Sequence, residues 1–553
     1  MEILDGALLL TLTSFLLLVI INVAKAYRDT KGKYSPLTLS VFVSLALAVV
    51  TPIFFCFPLL WIYKWIINLY LKVKHGSNFV AMVRGADVLY SSDSHENSRI
   101  CCLLVLEISD KMSVDDLFDS LKEVVYRNCL QDNKKLYKFQ SVLHECGGYL
   151  YLLKENVTVN DCVKKLRTIE KCDQLSEEDL LRLVGECKDA PLPKNNTILW
   201  EFSLGTQSIR WVNDAKTNMK YYPLVLRTHH AICDGFSFSQ FLFGVMSDKS
   251  EQVKVRPEVY LSKTKDRPLL LDILTTAFLT LYSFLYSPSV IVQTFVFKEN
   301  EINIFCGPKL NNVDVMAMKV DEGEYFQKLQ RIKSSVKGVN FSNILFAAYS
   351  YSLQEHFQKH SYSQPKYLKV VVPYLRKAAF LPQMPTGHLT MKDVTLENTA
   401  TLLTLELPIC FPKDTSLLQR LRHIQKLTSE LPTSTNNKIF YFASHLAIQL
   451  LPLPLLKLFD HSLQWSAVIS ILPGTSRVLF GNGKISLKDM IFWVPHMKKI
   501  GCNFSLFTYS KKIQIATNID TALIRDKTSA QSILDGIFEY IKLLEEDIQK
   551  RTI

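Results

Sequence analysis

The residues best suited to chemistry lie in the segment Thr228–Phe241, which reads THHAICDGFSFSQF. Within it, the adjacent histidines His229 and His230 are followed four residues later by Asp234 and then by Gly235. The apolar run before the histidines is typical of a strand, and the run after the glycine has the spacing of a helix. The pattern therefore predicts a histidine pair at the end of a strand, followed by a tight turn into a helix.

This arrangement suits general acid–base catalysis. An imidazole takes up and returns a proton near neutral pH, and a strand end holds the ring more firmly than a loose loop does. The carboxylate of Asp234 can cap the next helix or pair with a distant arginine, and Gly235 permits a close approach of the backbone to a substrate. The motif alone leaves a plainer alternative open, in which Asp234 is only a helix cap and both histidines are incidental.

Other chemical motifs are weak. His356 and His360 stand four residues apart in EHFQKH, but the pattern is not HExxH and no third ligand is evident. We therefore expect an exposed helix surface there and no metal site. The sequence has no G-x-S-x-G element of a hydrolase serine and no G-x-x-x-x-G-K phosphate loop. None of the 12 cysteines forms a C-x-x-C pair, which argues against a zinc ribbon or a thioredoxin-type site.

After about residue 80 the chain alternates strand and helix patterns, as α/β proteins do. Short apolar runs predict strands, and apolar residues every three to four positions predict helices. The predicted strands are Cys101–Ile108, Tyr149–Leu153, Trp200–Leu204, Tyr222–Leu226, Leu368–Val372 and Leu402–Leu407, and the predicted helices are Val114–Asn128, Phe236–Met246, Asn340–His356, Ser416–Leu427 and Gln531–Gln549. Three prolines punctuate an apolar crossover at 256–300, which we predict to join two similar halves, 80–255 and 301–553.

The first 75 residues have the composition of a membrane anchor. Residues 6–24 are uncharged and apolar, close to the ~20 residues that cross a bilayer as a helix. A small-x-small pattern at Ala24–Ala26 keeps a cleaved signal peptide open as an alternative. Because Glu2 and Asp5 stand where a signal peptide carries basic residues, we interpret the segment as an uncleaved anchor.

A second uncharged run covers residues 35–63 and contains Pro52 and Pro58. Because each proline removes a helix hydrogen bond, the run predicts either a bent span or a hairpin that enters one leaflet. Basic residues flank the run on both sides, and the positive-inside rule places residues 25–34 in the cytosol without deciding between the two.

Composition and charge narrow the class of protein further. Hydrophobic residues make up 48% and charged residues 21%, which is too apolar for a disordered chain and too charged for a carrier built mostly of spanning helices. The net charge of +12 is spread without a polybasic block, which argues against nucleic acid and favours anionic headgroups or a phosphate-bearing cofactor. Two later apolar stretches, 273–297 and 439–458, leave buried core and contact with the membrane interface both open.

The HHAICDG segment matches the HHxxxDG signature of the CoA-dependent acyltransferase superfamily, which includes chloramphenicol acetyltransferase, plant acyltransferases and peptide-synthetase condensation domains. Within it, the chain most resembles the wax ester synthase/diacylglycerol acyltransferase (WS/DGAT) family. Two departures are an isoleucine at 198, where the family has proline, and the missing aspartate after Asn340. Weaker likenesses keep the family order over about 80–545 and lie at MVRGADVLY (82–90), ILWE (198–201), VNFSNIL (339–345), VVPYLR (371–376), 398–408, 418–421, SAVISILPG (466–474) and 500–520.

The resemblance implies a fold of two chloramphenicol-acetyltransferase-like halves with a central substrate channel, and direct acyl transfer with His230 as general base. Asp234 would have a structural role, paired with an arginine for which Arg376 is the candidate. His229 would orient or pack, and Gly235 would complete the turn. Acyl-CoA is then a substrate, with no permanently bound cofactor and no metal.

We therefore predict a membrane-bound O-acyltransferase that makes triacylglycerol or wax ester from acyl-CoA and diacylglycerol or a fatty alcohol. Its partners would be acyl-CoA, the lipid alcohol and the membrane, with no nucleic acid. The predicted location is integral to the endoplasmic reticulum or plasma membrane, with the enzyme body in the cytosol if the second run is a hairpin. Two alternatives are a non-catalytic lipid-binding relative and acyl transfer to a small non-lipid acceptor.

Overall fold

The computed structural model describes all residues except 1, 94–97, 132–135, 171, 212–217, 249–268, 297–302, 307, 375–394, 460–464, 498–499 and 553. The α-helices are α1 Glu2–Asp29, α2 Pro36–His75, α3 Asp87–Ser91, α4 Val114–Val125, α5 Val159–Cys162, α6 Glu177–Asp189, α7 Pro193–Asn196, α8 Gly235–Gln240, α9 Leu269–Ile291, α10 Glu324–Ser335, α11 Phe341–Lys359, α12 Leu417–Glu430, α13 Thr435–Phe442, α14 Leu453–Phe459 and α15 Lys527–Thr552.

Each of the six predicted strands is present to within a few residues at each end, and the structure contains others that the sequence patterns did not predict. The strands are β1 Phe79–Met82, β2 Arg99–Ser109, β3 Ser141–Cys146, β4 Tyr149–Lys154, β5 Val163–Lys165, β6 Gln174–Leu175, β7 Trp200–Leu204, β8 Ser208–Ile209, β9 Met219–His229, β10 Asp314–Val320, β11 Tyr367–Tyr374, β12 Thr401–Pro408, β13 Ala467–Pro473, β14 Leu479–Phe480, β15 Ile485–Trp493, β16 Cys502–Tyr509 and β17 Lys512–Asp520.

The first six-stranded sheet has the order β14-β15-β2-β9-β7-β5. Its central strand β2 is buried on both faces, which explains why the sequence there is a continuous apolar run. Alternate residues of β2 enter different clusters: Cys102 and Leu104 pack with Leu117 of α4, whereas Cys101 and Leu103 pack with residues of α6. This layering fixes the neighbouring strand β9, which ends at the histidine pair.

The second six-stranded sheet has the order β10-β17-β16-β13-β11-β12 and is covered by α11 and α15. The chain therefore has the two-lobed α/β fold that the sequence predicts. The lobes are interlocked, because the hairpin β14–β15 comes from the C-terminal part of the chain but pairs with β2 of the first sheet. Parts of the predicted crossover at 256–300 lie outside the described residues, so the exact domain limits stay a prediction.

The long helix α2 begins and ends where the sequence has cap residues. Ser35 caps α2 by accepting a hydrogen bond from the backbone N–H of Thr38, and Gly76 ends the helix with a φ of 53°. Pro52 and Pro58 both lie inside this one continuous helix, so residues 35–63 do not form a hairpin. At about 1.5 Å per residue, the 40 residues of α2 extend over roughly 60 Å.

The three hydrophobic helices α1, α2 and α9 pack against one another. Leu279 of α9 also packs on Phe442 of α13, while Phe278 and Leu281 are largely exposed, so the stretch 273–297 is neither simple core nor simple surface. By length and composition alone, residues 36–78 are the one candidate membrane span in the part of the chain that the structure describes, and only 28% of its most apolar window is buried.

Candidate active site

The backbone of the histidine pair is held from both sides. Strand β9 pairs with β2 and β7, and the N–H groups of His229 and His230 donate to the carbonyls of Leu199 and Ser98, both at 2.7 Å. The His229 ring is buried, and its Nδ1 accepts a hydrogen bond from the N–H of Ala231 at 3.1 Å. His229 therefore stabilises the turn that follows the strand.

Asp234 is the N-cap of α8, one of the two roles that the sequence left open for it. Its Oδ1 accepts from the N–H of Ser237 at 2.8 Å. Its Oδ2 accepts from the N–H groups of Thr399 and Ala400 at 2.6 and 2.8 Å, and from the Thr399 hydroxyl at 3.2 Å. The buried carboxylate thus ties the histidine loop to the segment before β12. Arg376, its predicted partner, lies outside the described residues.

Gly235 is the first residue of α8 and lies against β13. A Cβ atom at this position would come within 2.8 Å of the Leu472 side chain, closer than carbon atoms pack. A side chain at this position would force Leu472 to move, so the glycine of the motif suits the close contact between the turn and the second sheet.

The imidazole of His230 lies flat against the ring of Tyr90, with ring centroids 3.7 Å apart and planes 9° apart. Nδ1 of His230 is buried and has no hydrogen-bond partner among the described residues. Burial lowers the pKa of His230 below its ordinary value of 6.5, and the nearby Asp234 carboxylate raises it only in part. The ring is therefore neutral at physiological pH and can accept a proton.

Lys138, Asp87 and Asn398 hold the histidine loop in place, and the sequence patterns assigned no role to them. Lys138 is 3% exposed, and its Nζ donates to Asp87 Oδ2 at 2.5 Å and to the carbonyls of Ala231 and Ile232 at 3.1 and 2.9 Å. This buried cation is compensated by one carboxylate and by the two carbonyls directly after the catalytic candidate.

Asn398 completes this network. Its Nδ2 donates to the carbonyl of His230 and to Asp87 Oδ1, both at 2.7 Å, and its backbone N–H donates to the same carboxylate oxygen at 3.1 Å. The carbonyls of residues 230, 231 and 232 therefore all accept hydrogen bonds from Asn398 or Lys138. Asp87 and Asn398 lie in segments that resemble the WS/DGAT family, whereas no local pattern marks Lys138.

The two histidines at the end of α11 do not form the exposed surface that the sequence predicts. His356 is buried, and its ring lies 4.6 Å from that of His360 and 6.0 Å from that of Tyr362. Burial and the neighbouring His360 lower the pKa of His356 to about 4. The described residues contain no group of three or more potential metal ligands. The EHFQKH segment is polar in sequence, but His356 lies on the buried face of the helix, so the prediction of an exposed surface was wrong there.

Comparison with known proteins agrees with this geometry. Residues 396–544 match the family model of the WS/DGAT C-terminal domain. No curated protein sequence matches the chain significantly.

Solved structures share the fold over most of the chain. The wax ester synthase/diacylglycerol acyltransferase from Marinobacter aquaeolei VT8 covers 84% of this chain and 99% of its own, at 14% identity and a TM-score of 0.51. The trichothecene 15-O-acetyltransferase TRI3 from Fusarium sporotrichioides covers 84% and 95%, at 11% identity and a TM-score of 0.54. The first condensation domain of the calcium-dependent antibiotic synthetase covers 85% and 97%, at 11% identity and a TM-score of 0.54.

The chain thus shares its fold with these solved structures, and its HHxxxDG loop lies at the end of β9. The match of residues 396–544 to the WS/DGAT C-terminal domain model bears out the predicted resemblance over that part of the chain. WS/DGAT is a family of acyl-CoA-dependent acyltransferases.

Replacement of Lys138 by methionine should destabilise the protein by about 3–5 kcal/mol, because it leaves the largely buried Asp87 carboxylate unpaired. The double variant K138M/D87L should recover part of that loss. Thermal unfolding of the detergent-solubilised protein measures both, with the exposed Lys111→Met as a control. Equal midpoints for K138M and K111M would contradict the assigned role.

Proposed function

We propose that the protein is a membrane-bound O-acyltransferase that moves a long-chain acyl group from acyl-CoA to the hydroxyl of diacylglycerol or a fatty alcohol. The product is triacylglycerol or a wax ester. The observation that carries the proposal is an intact HHxxxDG loop, fully fixed by buried hydrogen bonds, in a fold that carries a WS/DGAT C-terminal domain.

His230 acts as the general base in this reaction. Its neutral ring removes the proton of the acceptor hydroxyl as the oxygen attacks the thioester carbonyl. The tetrahedral intermediate collapses, the carbon–sulfur bond breaks, and CoA leaves as a thiolate that takes the proton back from His230. Acyl transfer is direct, so no residue of the chain carries the acyl group. Asp234 and Gly235 shape the loop, and His229 supports it from the interior.

The lowered pKa of His230 suits this role. A base that is already neutral at pH 7 is ready for each turnover, whereas a protonated ring would have to lose its proton first. The stacked Tyr90 ring fixes the plane of the imidazole. Burial raises the pKa of the tyrosine hydroxyl, so the stacked ring stays uncharged.

Membrane attachment supplies the apolar acceptor and receives the apolar product. Helices α1, α2 and α9 expose large apolar side chains, many of them more than half exposed, which water alone would not favour over so large an area. These include Leu12, Leu16, Ile20, Leu45, Val49, Leu59, Ile273, Leu274 and Phe278. We place the enzyme at the endoplasmic reticulum or plasma membrane with its body in the cytosol, where acyl-CoA is made available.

The variant His230→Ala should lower kcat by about 100-fold or more, because it removes the only base proposed for the hydroxyl. The measurement is transfer of a labelled acyl group from CoA to a long-chain alcohol or diacylglycerol in vesicles. The exposed His423→Ala serves as the matched control and should keep the wild-type rate. A His230→Ala enzyme with the same kcat as His423→Ala would overturn the assigned mechanism.

The pH dependence of kcat/KM should show an acid limb with its midpoint below 6.5. The pKa of His230 is lowered, so the ring stays neutral as pH falls through 6.5, and the rate declines only at more acidic pH when the ring becomes protonated. Initial rates from pH 4.5 to 8 at low acyl-CoA concentration measure this directly. A midpoint clearly above 6.5 would mean that the free enzyme does not hold His230 as described.

A further inference from the structure

We propose that helices α1, α2 and α9 form a monotopic wedge in one leaflet of the bilayer and that none of them crosses it. This refines the proposed membrane attachment and is independent of the acyl-transfer chemistry. The lipid leaflet is the occupant of the apolar surface, and the N-terminus, the loop between α1 and α2, and the enzyme body all lie on the same side.

The chain is attached to the enzyme body both before and after α9. Before α9, the N–H of Asp248 donates to the carbonyl of Leu479 in the first sheet, at 2.8 Å. After α9, Phe305 packs in the core of the second lobe, and Asn303 donates to the hydroxyl of Ser466 at 3.3 Å. A helix that crossed the membrane would place one of these flanks opposite the body, and the chain would have to cross back.

Neither of the two chain segments that flank α9 can cross back through the bilayer. The six residues 297–302 reach at most about 25 Å even when extended, which is less than the ~30 Å of the hydrocarbon core. The 20 residues 249–268 are long enough, but nine of them are charged, at a cost of about 2.5–3.5 kcal/mol for each charge at the bilayer centre. Helix α9 therefore begins and ends on the side of the body.

Helix α1 is locked to α9 by a buried asparagine. Pro288 lies inside α9, and the side chain of Asn22 enters the helix ladder beside it. The amide nitrogen of Asn22 donates to the carbonyl of Leu285 at 2.8 Å, and its oxygen accepts from the N–H of Ser289 at 3.0 Å. One side chain thus replaces a helix hydrogen bond, so α1 shares the disposition of α9.

Helix α2 runs alongside α9 and then along the body. Phe54 lies 5.2 Å from Phe284 of α9, and Val43 belongs to the same cluster as Val292, so the two helices are antiparallel neighbours. Further along α2, Lys64 Nζ donates to the carbonyls of Gln449 at 2.7 Å and Val83 at 3.3 Å, both in the body. A helix bound to α9 over one part and to the body over the next has no segment free to cross the bilayer.

The dimensions and charges fit a single leaflet. A helix with side chains is about 10–12 Å across, and half of the ~30 Å hydrocarbon core is about 15 Å, so helices lying in the plane fill one leaflet. Exposed Trp61 and Trp65 on α2 suit the boundary between headgroups and acyl chains. Basic residues face the headgroups at both ends of the patch and include Lys31, Lys33, Lys72 and Lys74, which are exposed.

The test compares the α1–α2 loop with the C-terminus in sealed microsomes that contain the full chain. One version carries a site for a specific protease between Lys31 and Lys33, and a matched version carries the same site after residue 553. Protease added outside should cut both versions at equal rates without detergent. Cutting of one site only after detergent is added would place the loop and the body on opposite sides and overturn the proposal.

The native sequons provide a second measurement that needs no insertion. Asn156 and Asn195 are exposed on the body and lie in N-x-T sequences, so a body in the lumen would be glycosylated. The proposal predicts no shift in gel mobility on glycosidase treatment, and the same for a sequon added before residue 2. A shift only in the version with the added sequon would contradict the wedge, and a shift in the native chain would contradict the cytosolic placement of the body. Absence of acyl transfer would instead count against the proposed function and leave the topology untouched.

Discussion

The buried ion pair between Lys138 and Asp87 is the interaction on which the rest of the site depends. A lysine that is 3% exposed has to be compensated, and here the compensation comes from one carboxylate and the carbonyls of Ala231 and Ile232. Asn398 extends the same network to the carbonyl of His230. The loop geometry is thus set by hydrogen bonds to three consecutive carbonyls, and Nδ1 of the His230 ring has no hydrogen-bond partner among the described residues.

This arrangement separates positioning from chemistry. Asp234 directs its hydrogen bonds to backbone N–H groups of two lobes and makes none to His230, and the His229 ring supports the turn. His230 is oriented by stacking on Tyr90, so its pKa is governed mainly by burial. In the proposed mechanism the base is therefore neutral in the resting enzyme, and its burial limits the access of water that would compete with the alcohol for the thioester.

The elements near the site could be predicted from the sequence because their signals are local. The strand end at His229, the cap at Asp234 and the helix start at Gly235 follow from residue types within a few positions. The contribution of Lys138 could not be predicted, since its partners lie about 50 and 90 residues away in the chain and a lysine is ordinarily a surface residue. The same holds for Asn22, whose partners on α9 are more than 260 residues away, and for the buried His356.

The apolar helices α1, α2 and α9 show the same limit. Composition identifies apolar helices, but only the packing of α1 and α2 on α9, and of α9 on the body, shows how they are arranged relative to one another and to the body.

The central claim is direct acyl transfer at the histidine loop, and the most direct test is the stoichiometry of the reaction in vesicles. Direct transfer predicts that CoA is released only when diacylglycerol or a fatty alcohol is present, in amounts equal to the ester formed. Tight acyl-CoA binding without ester, or CoA release without an acceptor, would contradict it.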